Sequence, residues 1–263
     1  MKIQLKDIQV LAEPASGNAG KIRLDLSWEF STEDKIGIVG LSGSGKTTLL
    51  QVIAGLIDPD SGMILVDDRD ISKDKSAKNE YKNQFGVCFQ FPEMQIFEPT
   101  VGDDIAFGLQ NMKMDHQEIK QQIANALFDV GLVHNEFLMK SIRGLSQGEK
   151  RRVAMAGILV MQKPVLLLDE PTSGLDAVGI KKIKETLGVK LKSANRGLMI
   201  ISHDLDFLLR TVDELWLMEN GKIIESMRCD ELDYHKLNRF IEIPRSYRLQ
   251  QHLLKLGIQN TPL

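Results

Sequence analysis

Two hydrophobic rhythms run along the chain. Residues 2–11 and 21–30 alternate between polar and apolar positions, the period of strands with one face covered. Glu13-Pro14-Ala15-Ser16-Gly17-Asn18 between them is turn chemistry. Ile36-Gly37-Ile38-Val39 reads as a short buried strand. A glycine-rich loop follows, then a helix over 47–56 with Leu49, Leu50, Ile53 and Leu56 on one face. Asp58-Pro59-Asp60-Ser61-Gly62 stops that helix, and residues 63–66 return to strand. Phe85-Gly86-Val87-Cys88-Phe89 is a further strand that runs to Gln90 and is broken by Phe91-Pro92. The chain beyond stays apolar, with Met94, Ile96 and Phe97, where a surface loop should turn polar. From 101 to 160 the period is helical. Asp115 and Glu118 have the spacing of a capping box, Ile119, Ile123, Leu127 and Val130 form a face, and Gly131 closes that helix. Val165-Leu166-Leu167-Leu168 and Leu198-Met199-Ile200-Ile201 are continuous apolar runs, the pattern of parallel strands covered on both faces. Asn220-Gly221 between Leu215-Trp216-Leu217-Met218 and Ile223-Ile224 is a hairpin signal. The tail from Cys229 reads as helical and polar, with an apolar patch at Leu253-Leu254. Strand-rich halves therefore bracket a helical insert.

Composition narrows the class. A chain of 263 residues buries a sizeable core, and 43% hydrophobic with 26% charged residues is ordinary for a globular protein. The net charge of -3 lacks the basic footprint of a nucleic-acid binder, so no nucleic-acid partner is expected. Cys88 and Cys229 have no zinc-type spacing, and Cys88 reads as a buried free thiol. Neither a signal-peptide core nor an apolar run long enough to span a membrane is present, so a cytoplasmic chain is expected.

Three stretches carry chemistry. Gly40-Leu41-Ser42-Gly43-Ser44-Gly45-Lys46-Thr47 matches G-x-x-x-x-G-K-[ST] in full, between a strand and a helix, the context the motif needs. Its glycines turn backbone N–H groups inward around an anion, and the helix N-terminus, with Thr48 next in line, adds partial positive charge. Lys46 is expected to bridge the terminal phosphates and Thr47 to ligate Mg²⁺. The bland alternative, a flexible Gly/Ser loop, does not account for the complete pattern. Asp169 and Glu170 end a buried strand: Asp169 suits the Mg²⁺ water shell, and Glu170, aimed by Pro171, suits a general base. Of five histidines, His116, His134, His235 and His252 lie in polar surroundings. His203 follows a buried strand at the end that faces the ligand crevice of an open sheet, where it can donate to a γ-phosphate.

Together these residues resemble the nucleotide-binding subunit of an ABC transporter over nearly the whole chain. Gly40 to Thr47 looks like Walker A, residues 165–170 like Walker B, Ser173-Gly174-Leu175-Asp176 like the D-loop, His203 like the switch histidine and Gln90 like the Q-loop glutamine. Leu145-Ser146-Gln147-Gly148-Glu149 resembles the family signature LSGGQ, with Gln147 in place of the first glycine and Glu149 in place of the glutamine. The resemblance implies an α/β fold: a P-loop NTPase domain with a RecA-like core, an antiparallel β subdomain and an α-helical signature subdomain. It also implies a head-to-tail dimer, each ATP lying between one subunit's Walker A and the other's signature. Ser146 then offers a hydroxyl and Gly148 a bare N–H at a helix N-terminus, Asp176 borders the nucleotide, and Gln90 reaches the Mg²⁺. Lys150, Arg151 and Arg152 are expected to offset Glu149. The aromatic that stacks on adenine in the family falls near Ala12, and no Tyr, Phe or Trp precedes Trp28, so adenine is left to aliphatic contact or another residue.

The run Phe89-Gln90-Phe91-Pro92-Glu93, with Gln95-Ile96-Phe97 and Asp104-Ile105-Ala106-Phe107-Gly108, resembles the ATPases of energy-coupling factor importers, as does Arg151 to Gly157. That subgroup implies a C-terminal extension, ATP and Mg²⁺ as ligands, and a place at the cytoplasmic face of the membrane. Its assembly comprises two ATPase subunits, identical or related, a transmembrane coupling protein and a membrane substrate-binding subunit for a vitamin or transition metal ion. The expected division is 1–228 for the ATPase domain, with the helical subdomain inserted at about 91–160, and 229–263 for the extension. Phe91, Met94, Ile96 and Phe97 are expected to form a groove for a membrane partner's helix, with Glu93 at its rim facing a partner arginine. Packing of the same side chains within the insert is the alternative. Another ABC transporter class, a non-transport ABC ATPase and a small-molecule kinase are the competing readings, and the last has no use for the signature.

Overall fold

The computed structural model describes residues 1–12, 22–110, 114–190 and 196–247. The turn at 13–18, His252, Leu253-Leu254 and the end of the extension lie outside the described residues.

Two sheets share the chain. The first is antiparallel, in the order β2 (Ile22–Ser31), β1 (Lys2–Leu11), β4 (Ser61–Val66), β5 (Arg69–Asp70). The second has the order β10 (Lys222–Arg228), β9 (Glu214–Glu219), β3 (Lys35–Val39), β8 (Gly197–Ile201), β7 (Val165–Asp169), β6 (Phe85–Cys88). All its neighbours are parallel except the β9–β10 pair. That hairpin turns on Asn220 and Gly221, both at positive φ, as a two-residue turn matched to strand twist requires.

The continuous apolar runs have a simple cause. Side chains alternate across a strand, so one run feeds two cores. Leu166 and Leu168, Leu198 and Ile200, and Leu215 and Leu217 enter one hydrophobic cluster. Val165 and Leu167, Met199 and Ile201, and Trp216 and Met218 enter the other. The second core lies between the sheets and takes in α1 (Lys46–Ile53); Trp28 and Phe30 meet Trp216 edge to face at 5.8 and 5.9 Å. The first core takes in the helical insert: α3 (Val101–Gln110), α4 (His116–Asp129), the single turn α5 (His134–Phe137) and α6 (Gln147–Val160). Between α1 and β6 runs α2 (Lys75–Lys82), capped by Asp74. α7 (Ala177–Glu185) and α8 (Leu205–Thr211) follow β7 and β8.

Three expectations differ. The first helix ends at Ile53, because Gly55 takes a positive φ, and Leu56 is exposed. Asp115 sits at the N-cap of α4 without a side-chain capping bond. The capping box lies instead at α6, between Ser146 and Glu149. In the described part of the tail the short helix α9 (Tyr234–Leu237) is followed by helical residues at 245–247, and Leu237, Phe240, Ile241 and Ile243 bury in the first core, so this part is not the polar surface expected.

Candidate nucleotide site

Parallel strands bring their carboxyl ends to one edge. Gly40 follows β3, Asp169 ends β7, His203 lies two residues past β8 and Gln90 two past β6. Register sets them level, with Ile38 and Asp169 both opposite Ile201. Residues up to 180 positions apart thus line one cleft of about 400 Å³: Ser42, Gly43, Gly45, Lys46, Thr47, Thr48, Gln90, Asp169, Glu170 and His203, with Arg23 and Ile201.

The phosphate loop is held from outside. Gly45 sits at φ 99 and a Cβ there would stand 2.7 Å from the Arg23 carbonyl, so only glycine fits. The hairpin tip braces the loop: Gly221 N–H donates to the Ser44 carbonyl (2.9 Å) and Asp25 N–H to the Gly221 carbonyl (3.0 Å). Lys46 Nζ donates to the carbonyls of Gly40 (2.7 Å) and Leu41 (2.9 Å). Burial lowers its pKa, against the pull of Asp169 and Glu170. The first-turn N–H groups of α1 have no intrahelical acceptor. The Ser44 hydroxyl is buried without a hydrogen-bond partner among the described residues. This cradle fits a polyphosphate.

Thr47 Oγ1 donates to Asp169 Oδ2 at 2.6 Å. Burial raises the Asp169 pKa, and the Thr47 bond and Lys46 oppose the rise. Among the described residues no cluster of His, Cys, Asp and Glu holds a metal alone. Thr47, Asp169 and Gln90 are instead hard oxygen donors beside a phosphate cradle, the set Mg²⁺ accepts when phosphates and waters complete its octahedron.

Glu170 stands at φ 50, a left-handed backbone unusual for its type. Its N–H is fixed by the Ile201 carbonyl (2.9 Å), and its Oε1 lies 3.4 Å from His203 Nε2. Burial, then the neighbouring Asp169, pushes its carboxyl up to about 7. A base poised near neutrality is suited to taking a proton from water.

The signature residues Ser146, Gln147 and Gly148, and Asp176, do not line this cleft. Ser146 Oγ accepts from Glu149 N–H (3.2 Å), while Glu149 accepts from Ser146 N–H (2.7 Å) and Lys140 Nζ (3.1 Å). Glu149 is therefore neutralised by its own cap and Lys140, not by Lys150, Arg151 and Arg152 as expected. Those bonds hold the Glu149 pKa down. Gln147 and Arg151 turn to Glu93, which corrects the expectation that Glu93 faces a partner arginine. Asp176 caps α7 through Gly179 N–H (2.8 Å), with Arg152 4.0 Å away. Around the broken strand, Phe91, Met94 and Phe97 are exposed, whereas Ile96 packs on the first core. Phe97 meets Phe107 edge to face at 4.6 Å.

Ala12 is buried. Arg23, which the motifs did not single out, faces the nucleotide cleft. Its only signal in the sequence is the missing aromatic, which leaves the base to another side chain.

Residues 24–173 match the ABC transporter family model. An energy-coupling factor transporter ATP-binding protein EcfA2 of Clostridium tetani is 40% identical over 76% of this chain and 69% of its own length. Its namesake in Caldanaerobacter subterraneus subsp. tengcongensis is 35% identical over 100% of this chain and 92% of its own. The solved structure of cbiO1 from Clostridium perfringens, part of a cbiONQ transporter complex, superposes with a TM-score of 0.72 at 30% identity, covering 95% of this chain and 98% of that one. A dimeric ATP-binding cassette bound to ADP and Pi shares the fold, with a TM-score of 0.76 over 86% of this chain at 21% identity. The parallel-edge cleft, the capped signature helix and these relatives agree: the chain belongs to the ABC transporter family, among the ATP-binding proteins of energy-coupling factor transporters.

Proposed function

We propose that the chain is the ATP-hydrolysing subunit of an energy-coupling factor importer, working as one of two ATPase subunits beneath membrane components. The convergence of Thr47, Asp169, Glu170 and His203 on one phosphate-sized cleft carries this reading. Lys46 and the loop N–H groups bind the phosphates. Thr47, Asp169 and Gln90 hold Mg²⁺, which supplies charge neutralisation at the phosphoryl oxygens. Glu170 takes the proton of the attacking water, and His203 positions it and donates to the terminal phosphate. Ser146 and Gly148 present a hydroxyl and an N–H to the nucleotide of a second subunit, identical or related. Bonded through its oxygen to Glu149 N–H, the Ser146 hydroxyl keeps its proton for that contact. Arg23 holds the base in place of an aromatic ring, since a guanidinium stacks on π faces.

Among the described residues no helix is long and apolar enough to cross a membrane, so membrane partners hold the subunit at the cytoplasmic face. The exposed Phe91, Met94 and Phe97 suit a groove that receives an apolar helix. Its cargo belongs to the vitamin and metal-ion class. Lys46→Ala in the purified complex is expected to abolish ATP hydrolysis; undiminished turnover would overturn the assignment. Phe97→Asp is expected to lose copurification with the membrane partner while retaining the fold, and wild-type copurification removes the groove.

A further inference from the structure

The turn at 92–95 that carries the exposed Met94 also carries Glu93, and Glu93 points inward. Its carboxylate accepts from the Gln147 side-chain amide and from Arg151 Nε at 3.1 Å. The two ion-pair side chains are only 9% and 12% exposed. Removing one partner of such a pair strands a buried charge. The same Arg151 guanidinium lies 5.6 Å from the centre of the Phe91 ring, and its Nη1 donates to the Ser173 carbonyl. One cation therefore touches a groove aromatic, the carboxylate beneath the groove and the loop that follows β7.

The loop is shaped for that contact. Gly174 stands at φ +69, and a Cβ added there would fall on the Arg151 guanidinium. Its far end is held by the next residue of α6, since Arg152 donates to the Gly131 carbonyl (3.2 Å) and approaches Asp176. Its near end begins at Glu170, whose carbonyl accepts from Ser173 N–H at 3.0 Å. A short line of bonds thus joins the base to the groove: Glu170 to Ser173, Ser173 to Arg151, Arg151 to Glu93, with Phe91 and Met94 on either side. Gln147, which stands where the signature resemblance has glycine, spends its amide on the same carboxylate.

We propose that Arg151 is a positioning residue that couples the groove at 91–97 to the loop at 170–176, so that nucleotide at the cleft changes the groove and an occupant of the groove changes the cleft. Coupling of this kind is reciprocal. It rests on the groove reading for its purpose, while its test uses no membrane partner and so fails independently of it.

A reporter at the groove tests the inference. Met94 is 82% exposed and Cys88 is buried. Full-length Met94→Cys, Cys229→Ser, Glu170→Gln protein carries an environment-sensitive maleimide at position 94 and is titrated with ATP and Mg²⁺. The parent is expected to change emission on saturation. Arg151→Ala and Arg151→Lys are each expected to lose most of that amplitude while the half-saturating ATP concentration stays within about threefold. Lysine fails because a point ammonium lacks the fork that reaches Glu93 and Ser173 together. Glu93→Gln keeps the shape, removes the charge, and is expected to lose amplitude likewise, which guards against a poorly folded Arg151 variant. Full amplitude without Arg151 overturns the proposal. So does a silent parent, or an amplitude that falls only in step with ATP affinity.

Discussion

At the cleft, Asp169 and His203 stand at or just past the ends of parallel strands, and Lys46 opens the helix that follows β3 and the phosphate loop. At the arm, Glu93, Arg151 and Gln147 are held by one another's side chains. The first arrangement is anchored by ladder hydrogen bonds and by two cores that grip alternate residues of the same strand. Moving Asp169 means moving β7, every residue of which is buried. The second is anchored by one carboxylate and one guanidinium on a turn and a helix. A sheet edge suits groups that must meet phosphate to within fractions of an ångström. A side-chain network suits groups that must shift between discrete arrangements when something docks.

The contrast is broken most severely by Glu170→Gln, which leaves the backbone and the cleft unchanged. Hydrolysis is expected to fall by about 10²–10⁴-fold while ATP still binds, measured by steady-state turnover and nucleotide titration. If Glu170 is the base proposed, activity of the unaltered protein should rise with pH through the region of about 7, because a base acts only when deprotonated. The same shift has a stability consequence. A carboxyl raised in the folded state favours folding when protonated, so its contribution is full below the unfolded value and is lost as pH rises through about 7. Glu170→Gln should therefore melt higher than wild type at pH 8, and scans across that window read it directly.

Next comes the sheet itself. Leu167→Ala opens a hole in the fully buried β7 and is expected to cost about 2–5 kcal/mol in denaturant unfolding. Glu149→Ala at the arm removes one half of a capping box and the Lys140 pair, and about 1 kcal/mol is expected from the same measurement. A larger cost for Glu149→Ala than for Leu167→Ala would reverse the distinction between the two regions. Arg23→Ala gives the smallest effect, a rise of about 3–10-fold in KM for ATP with kcat unchanged, as loss of a cation–π contact of about 1 kcal/mol implies. An unchanged KM would remove Arg23 from the base site.

The phosphate loop, the strand-end carboxylates and His203 were legible because each is a local pattern, a strand followed at once by chemistry. The hairpin at Asn220-Gly221 was legible for the same reason, but its bond to Ser44, which braces the phosphate loop, was not. The roles of Glu93 and Arg151 were misassigned, and Lys140 was not singled out. A charged residue in a helix or turn reads as solvated until the element packed against it is known, and Glu93 and Arg151 are 58 positions apart.

The sequence alone determined which residues are candidates for the chemistry and the order in which strand, loop and helix present them, since backbone period and glycine placement are local properties. Only the tertiary structure decided how those pieces are wired. Strand order put Asp169 opposite Ile201 and within reach of Thr47. Packing of α6 against the segment at 91–95 and against the loop after β7 gave Arg151 its three partners. Both depend on contacts between distant residues, and hydrophobic patterning specifies which face is buried without specifying which charges will meet there.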